Sequence, residues 1–210
     1  MTTTVLESIV VRRLGLVPYQ RALEDMRAFT AARGPDAPDE LWVLQHPPVY
    51  TLGLAADPAF GPKSATSIPV VQVERGGEVT YHGPGQVVVY TLVDIARRGI
   101  KVREYVAMLE DAVIGVLSDH GVTAERRKGA PGVYVAGAKV AALGIRITKG
   151  RAFHGLALNV DLDLSPFNAI DPCGYPGLRV TRTRDLGITE DCEALGERLA
   201  ARLAEALDRA

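Results

Sequence analysis

Apolar residues recur along this chain at two different periods, and the switches between them divide it into elements. Ala22, Leu23, Met26 and Phe29 fall at the three- and four-residue spacing of a helical stripe. They predict a helix over residues 18–33, stopped by Gly34-Pro35 and Ala37-Pro38. Leu41-Trp42-Val43-Leu44 is a short unbroken apolar run, the pattern of a buried strand. It ends at His46-Pro47-Pro48, where consecutive prolines remove ladder donors. Residues 54–67, with Pro58, Gly61 and Pro62, read as a loop. The β-branched stretches 70–73 and 86–93 read as strands, with residues 75–85 lying between them.

Helical spacing returns at Val102, Tyr105, Leu109, Val113 and Val116, predicting a helix over 101–120 that Gly121 terminates. Residues 132–135 and 139–148 read as a hairpin around Ala136-Gly137-Ala138, and 156–162 as a further strand. Leu195, Leu199 and Leu203 share one face of a C-terminal helix over 189–210, with Glu190 and Asp191 in its first turn. Helices at the start, middle and end, around strands in hairpin-like runs, predict an α+β fold. The expected sheet is mixed, mostly antiparallel and flanked by helices, not an alternating βαβ array. No repeat or linker divides the chain, so residues 1–210 are expected to form a single domain.

Charge changes this picture little. Lys and Arg number 24 against 25 Asp and Glu, so bulk electrostatics supplies no reason to expect nucleic acid or an anionic membrane as partner. Basic residues do gather locally at Arg126-Arg127-Lys128, at Arg146, Lys149 and Arg151, and at Arg179, Arg182 and Arg184. These are either solvated loops or a basic rim that steers an acidic, substrate-bearing protein. Two cysteines, Cys173 and Cys192, are too few for a disulfide framework. The N-terminus has no signal-peptide pattern, and no apolar run approaches the ~18 residues that cross a bilayer. A reducing, cytoplasmic location is the expectation, and it keeps a thiol usable.

Several chemistries lack their motifs. The histidines at 46, 82, 120 and 154 are far apart and form no H-x-x-x-H pattern, so no metal site is expected. There is no G-x-S-x-G elbow, no phosphate-loop ending and no G-x-G-x-x-G spacing. What stands out is a thiol and an amine in glycine-rich settings: Asp171-Pro172-Cys173-Gly174 and Gly137-Ala138-Lys139. A thiolate is the attacking form of cysteine, and a nearby ammonium lowers the thiol pKa. Two-residue alternation places Lys139 with Ala141, Leu143, Ile145 and Ile147, the more apolar face of its strand. A lysine there either snorkels to solvent or has work to do. Cys192, between acidic residues at a helix start, reads as a packing residue. Two further segments gather polar groups around glycines: Arg75-Gly76-Gly77-Glu78-Val79-Thr80-Tyr81-His82-Gly83-Pro84-Gly85-Gln86 and Phe153-His154-Gly155-Leu156-Ala157-Leu158-Asn159.

These segments resemble, in order, the motifs of the octanoyltransferases of lipoate biosynthesis, also called lipoyl(octanoyl) transferases. Arg75 to Gln86 with Tyr90, Gly137 to Arg146, Phe153 to Asn159 and Asn168 to Gly174 carry the likeness, which runs from about His46 to Gly177. The resemblance implies a fold shared with biotin protein ligases and lipoate-protein ligases. It implies transfer of an octanoyl group from octanoyl-acyl carrier protein to a lysine of apo-lipoyl domains, the first step of endogenous protein lipoylation. The implied acceptors are 2-oxoacid dehydrogenase E2 subunits and the glycine cleavage H protein, and no cofactor is implied. By the same resemblance Cys173 is the acyl-thioester nucleophile and Lys139 lowers its pKa. Arg75, Gly76, Gly77, Glu78, Val79, Thr80, Tyr81, His82, Ala142, Leu143, Gly144, Gly155, Leu156 and Ala157 match the substrate-binding stretches, with His154 as an auxiliary candidate. Ala142 stands where other members can carry serine. An acyl slot is expected between Gly76-Gly77 and Leu143-Gly144. Competing readings are an ATP-dependent ligase of the same fold, for which the G-R-G-R adenylate loop is missing, and an amidotransferase between lipoyl domains. From another class, a non-catalytic acyl- or lipoyl-domain-binding module would give Cys173 no reason to be reactive.

Overall fold

In the computed structural model, which describes residues 1–6, 8–57, 61–63, 66–171 and 177–210, the apolar run Gln86–Asp94 is buried along its whole length. A strand buried on both faces needs cover on both, and that requirement organises the layers. The strands in chain order are β1 Thr2–Leu6, β2 Ile9–Leu16, β3 Asp39–Gln45, β4 Val49–Leu52, β5 Val70–Gln72, β6 Val79–His82, β7 Gln86–Asp94, β8 Glu125–Arg126, β9 Gly132–Val135, β10 Ala138–Thr148 and β11 Arg151–Asn159. The helices are α1 Tyr19–Ala32, α2 Val102–Asp119 and α3 Cys192–Asp208. Among the described residues, one eight-stranded sheet runs β1-β2-β3-β7-β11-β10-β9-β8, and a three-stranded sheet runs β5-β4-β6. The pairings are antiparallel except β2 with β3 and β4 with β5.

On one face of the large sheet, α2 and α3 bury Leu109, Val113, Leu199 and Leu203 against Val89, Val140 and Leu156. On the other face α1 buries Leu23 and Met26 against Trp42, Val88, Tyr90 and Phe153. The small sheet has its own core, Tyr50, Tyr81 and Phe167, closed by a 3-10 turn at Ser165–Ala169. Among the described residues no helix is long and apolar enough to cross a membrane.

Five strands depart from the sequence reading. β1, β2, β4, β6 and β8 were not expected, and β6 lies inside the glycine-rich stretch. β11 begins at Arg151, earlier than the strand predicted from 156. The C-terminal helix starts at Cys192, not 189, because the Asp191 carboxylate accepts the Ala194 amide at 2.9 Å as its N-cap, which leaves Glu190 outside.

The correction with most consequence concerns Lys139. The β9–β10 register shifts between Lys139 and Ala141, leaving Val140 as an extra residue. Val140 and Ala141 both join the core beneath the helices. Such a bulge slips the alternation by one. Lys139 therefore falls in step with Ala142 and Gly144 on the opposite face, not with Leu143, Ile145 and Ile147.

Candidate active site

A cleft opens on the α1 side of the large sheet, between the segment Gly77–Thr80 and strands β10, β11 and β7. Arg75 builds its roof. Its guanidinium donates to the Thr51 carbonyl and hydroxyl, both at 2.8 Å, and to the carbonyls of Gly76 and Glu78, both at 2.9 Å. Those bonds pin the loop to β4. The loop then touches β10 directly, because the Gly76 amide donates to the Ile145 carbonyl at 2.9 Å. A Cβ at Gly144 would stand 2.9 Å from the Gly76 oxygen and 3.0 Å from Cδ of Arg75, so this approach needs glycine.

Of the residues matched by resemblance, Arg75, Gly77, Glu78, Val79, Thr80, His82, Ala142, Leu143, Gly144, His154, Gly155, Leu156 and Ala157 line this cleft. Gly76 and Tyr81 do not. Gly76 is occupied by its backbone contact with β10, and strand alternation turns Tyr81 into the small core against Tyr50 and Phe167. Of the slot expected between Gly76-Gly77 and Leu143-Gly144, the Gly76–Gly144 contact is closed, while Gly77, Leu143 and Gly144 line the open space beside it. Tyr19, Val88 and Tyr90 also line the cleft. Tyr19 was legible only as a residue inside the helix predicted over 18–33, and its placement depends on how α1 crosses the sheet.

Three histidines and two tyrosines cluster here. Tyr19 stands 5.0 Å from the His46 ring and 5.8 Å from that of His82, and Tyr90 stands 6.0 Å from His154. His46 is held between the Val17 carbonyl and the Tyr90 hydroxyl, each at 2.7 Å. Burial drives all three imidazoles toward the neutral form: His46 falls to about 4, His82 and His154 to about 3.

The Gln86 amide nitrogen donates to the Tyr81 carbonyl and to Oδ1 of Asn159, so its oxygen accepts from Nδ1 of His82 at 2.7 Å. That assignment leaves Nε2 of His82 as an acceptor, 3.5 Å from the Thr51 hydroxyl. The chain of bonds continues from Asn159 to the Thr181 carbonyl at 3.0 Å, and from the Thr181 amide to the Lys139 carbonyl at 2.9 Å.

Lys139 is 4% exposed. Its ammonium donates to the Pro131 carbonyl at 3.1 Å and lies 5.3 Å from the centre of the Tyr134 ring. Its own amide donates to the Arg179 carbonyl at 2.8 Å, making a parallel bridge with Val180. Cys173 lies outside the described residues. The chain re-enters the described part at Gly177, immediately before the strand-like segment that is bonded to Lys139.

Cys192 contrasts with this setting. Burial, with Asp191 and Asp161 nearby, pushes its thiol up to about 11, which suits a packing residue.

The fold is an α+β domain whose sheet carries this cleft on its α1 face. Residues 18–204 match the family described as the lipoyl protein ligase A/B catalytic domain. Octanoyltransferase from Aromatoleum aromaticum is 57% identical over 196 residues, which cover 93% of this chain and 84% of that protein. Octanoyltransferase from Dechloromonas aromatica is 54% identical over 200 residues, 95% of this chain and 97% of that protein. Among solved structures, a lipoate-protein ligase A bound with ATP superposes with a TM-score of 0.76 at 15% identity, covering 94% of this chain and 85% of that one. A biotin protein ligase from Aquifex aeolicus superposes with a TM-score of 0.56 at 13% identity, covering 95% and 69%. The chain belongs to the lipoyl protein ligase A/B catalytic domain family and, within it, to the octanoyltransferases.

Proposed function

We propose that this acyltransferase moves an octanoyl group from octanoyl-acyl carrier protein to a lysine of apo-lipoyl domains, through a thioester on Cys173. The observation that carries the reading is Lys139. It is a buried ammonium on the cleft face of β10, and its backbone is tied to the segment that follows the cysteine. An ammonium placed beside a thiol favours the thiolate.

In the first half-reaction the Cys173 sulfur forms a bond to the octanoyl carbonyl carbon. The tetrahedral oxyanion collapses, and the sulfur of the carrier's phosphopantetheine arm leaves with a proton from the Lys139 ammonium. In the second, the acceptor lysine's neutral amine attacks the acyl-cysteine, the Lys139 amine takes the proton that this nitrogen loses as the amide forms, and the Cys173 thiolate is released. Exchange of one thioester for another is nearly isoenergetic and thioester to amide is downhill, so no ATP is required. β9 stops pairing opposite Ala142. Ile145 presents its carbonyl to that uncovered edge, so Leu143, two residues back, presents its amide there as well and is a donor available to the oxyanion. With their imidazoles held near 3, His82 and His154 are too weakly basic to take a proton from an alkylammonium. They shape the cleft.

Charge supports a carrier-protein donor. Arg126 pairs with Glu110 and Asp111, Arg151 with Asp94, and Arg182 and Arg184 with Asp161. Arg127, Lys128 and Arg179, by contrast, line a cavity beside Tyr134 with no carboxylate partner among the described residues. Arg146 and Lys149, both exposed, likewise have no carboxylate partner among the described residues, so the basic surface left for an acidic protein comprises these two and the cavity beside Tyr134.

The test is transfer without ATP. Octanoyl-acyl carrier protein and apo-lipoyl domain should yield octanoyl-lysine with the wild-type protein. A Lys139→Met variant should be slower by about 10²-fold or more. A strict requirement for ATP would move the chain to the ligase reading.

A further inference from the structure

The cleft has a mouth and an inner wall, and the two differ in chemistry. Ala142, Leu143 and Gly144 are partly exposed at the mouth, whereas Tyr19, Tyr90 and His154 are only 5%, 4% and 1% exposed at the wall. Ala142, Leu143 and Gly144 oppose Ala157, Leu156 and Gly155 across the β10–β11 pair, and His154 opposes Ile145. His154 is therefore level with a residue two positions along β10 from Leu143, roughly 7 Å at the rise of a strand. The cleft face beside them carries Ala142, Gly144, Gly155 and Ala157, small residues that leave room for hydrocarbon, while Leu143 and Leu156 turn their side chains under the helices.

The wall does not suit hydrocarbon. Neither Nδ1 nor Nε2 of His154 has a hydrogen-bond partner, although both atoms are buried. The Tyr19 hydroxyl is buried too, and the group within its reach is the Tyr90 hydroxyl, itself engaged with His46. His154 also holds a backbone φ of +63°, in the left-handed region and inside a strand. Its carbonyl is fixed there by the Thr91 hydroxyl at 3.2 Å. Buried polar atoms without partners are rare and call for an explanation. The cleft's other unpartnered polar atom, Oε2 of Glu78, belongs to a half-buried side chain.

We infer that His154 and Tyr19 form a polar stop that sets the longest acyl chain the cleft accepts. The inference rests on the cleft being the acyl site. Each methylene laid on the apolar floor adds about fourfold in affinity. A chain that ends before the wall leaves the imidazole and the phenol able to bond water. A chain that reaches the wall covers those atoms with hydrocarbon and strips them of any partner, a penalty larger than the gain from the added methylene. Selectivity is thus graded below the preferred length and abrupt above it.

Binding of the straight-chain fatty acids from hexanoate to dodecanoate, titrated into the intact protein, reads this directly and needs no turnover. Wild-type affinity should climb to octanoate and drop at decanoate. Tyr19→Phe, which removes one oxygen from a residue on a regular helix, should raise the decanoate-to-octanoate affinity ratio at least fivefold. His154→Leu should do the same, and if its backbone strain prevents folding, Tyr19→Phe decides alone. A ratio within twofold of wild type in Tyr19→Phe overturns the inference. So does an equal loss for every chain length, which would place these atoms on the carbonyl end, and so does the absence of fatty-acid binding. Failure of octanoyl transfer in the ATP-free assay would overturn the proposed function and leave the binding limit standing.

Discussion

At the scale of single residues, burial decides what the polar groups of the cleft can do. His46, His82 and His154 each lose water on folding and stay neutral, whereas in the unfolded chain they charge near pH 6.5. The unfolded state then binds more protons than the native state between about pH 6.5 and the folded values. Stability therefore rises with pH across that window and falls on acidification. Three groups acting together give up to about 4 kcal/mol per pH unit near pH 5. Chemical denaturation at pH 7 and pH 5 should show that loss, and the imidazole NMR signals of these three residues should stay in the neutral position throughout. Equal stability at the two pH values, or an imidazole inflection near 6.5, would contradict it. None of this could be read from the chain, where a histidine beside glycine is as consistent with a proton shuttle as with a wall.

At the scale of elements, the legible parts were those that carry one period. Helix α1 and the body of α2 follow their apolar stripes, and the β9–β10 hairpin follows its turn residues. β4 was hidden because all four of its residues are buried, so it has no polar face to alternate with, and it follows directly on Pro47-Pro48. β6 was hidden by the glycines on either side of it. In β2, Arg12 and Arg13 break the apolar pattern. Each is spoken for by a partner distant in sequence, Glu40 at 2.6 Å and Glu197 at 2.5 Å. The bulge at Val140 escaped for a different reason: alternation assumes a regular strand, and one inserted residue reverses which face Lys139 occupies. The β11–β7 pair carries a prediction of its own. A Cβ at Gly155 would be driven into the carbonyl oxygen of Val89, backbone that cannot turn aside. Gly155→Ala should cost about 2–3 kcal/mol in urea unfolding with an unchanged slope, and a change below about 0.5 kcal/mol would mean that the strands part at no cost.

At the scale of the whole molecule, the large sheet separates two tasks. The face under α2 and α3 is hydrocarbon and holds the fold, while the face under α1 and the small sheet leaves the cleft, with Lys139 three residues before cleft-lining Ala142 on β10. The fold class and most of the cleft-lining residues were legible because their motifs keep their order along the chain. The polar wall was not, since Tyr19, Tyr90 and His154 converge only when α1, β7 and β11 are stacked. The most direct test of the central claim is the intact mass of the protein after mixing with octanoyl-acyl carrier protein without ATP, followed by peptide mapping. The account predicts one octanoyl group, on Cys173, released by hydroxylamine and discharged onto apo-lipoyl domain. Active transfer with no adduct on Cys173, or an adduct on another residue, would contradict it.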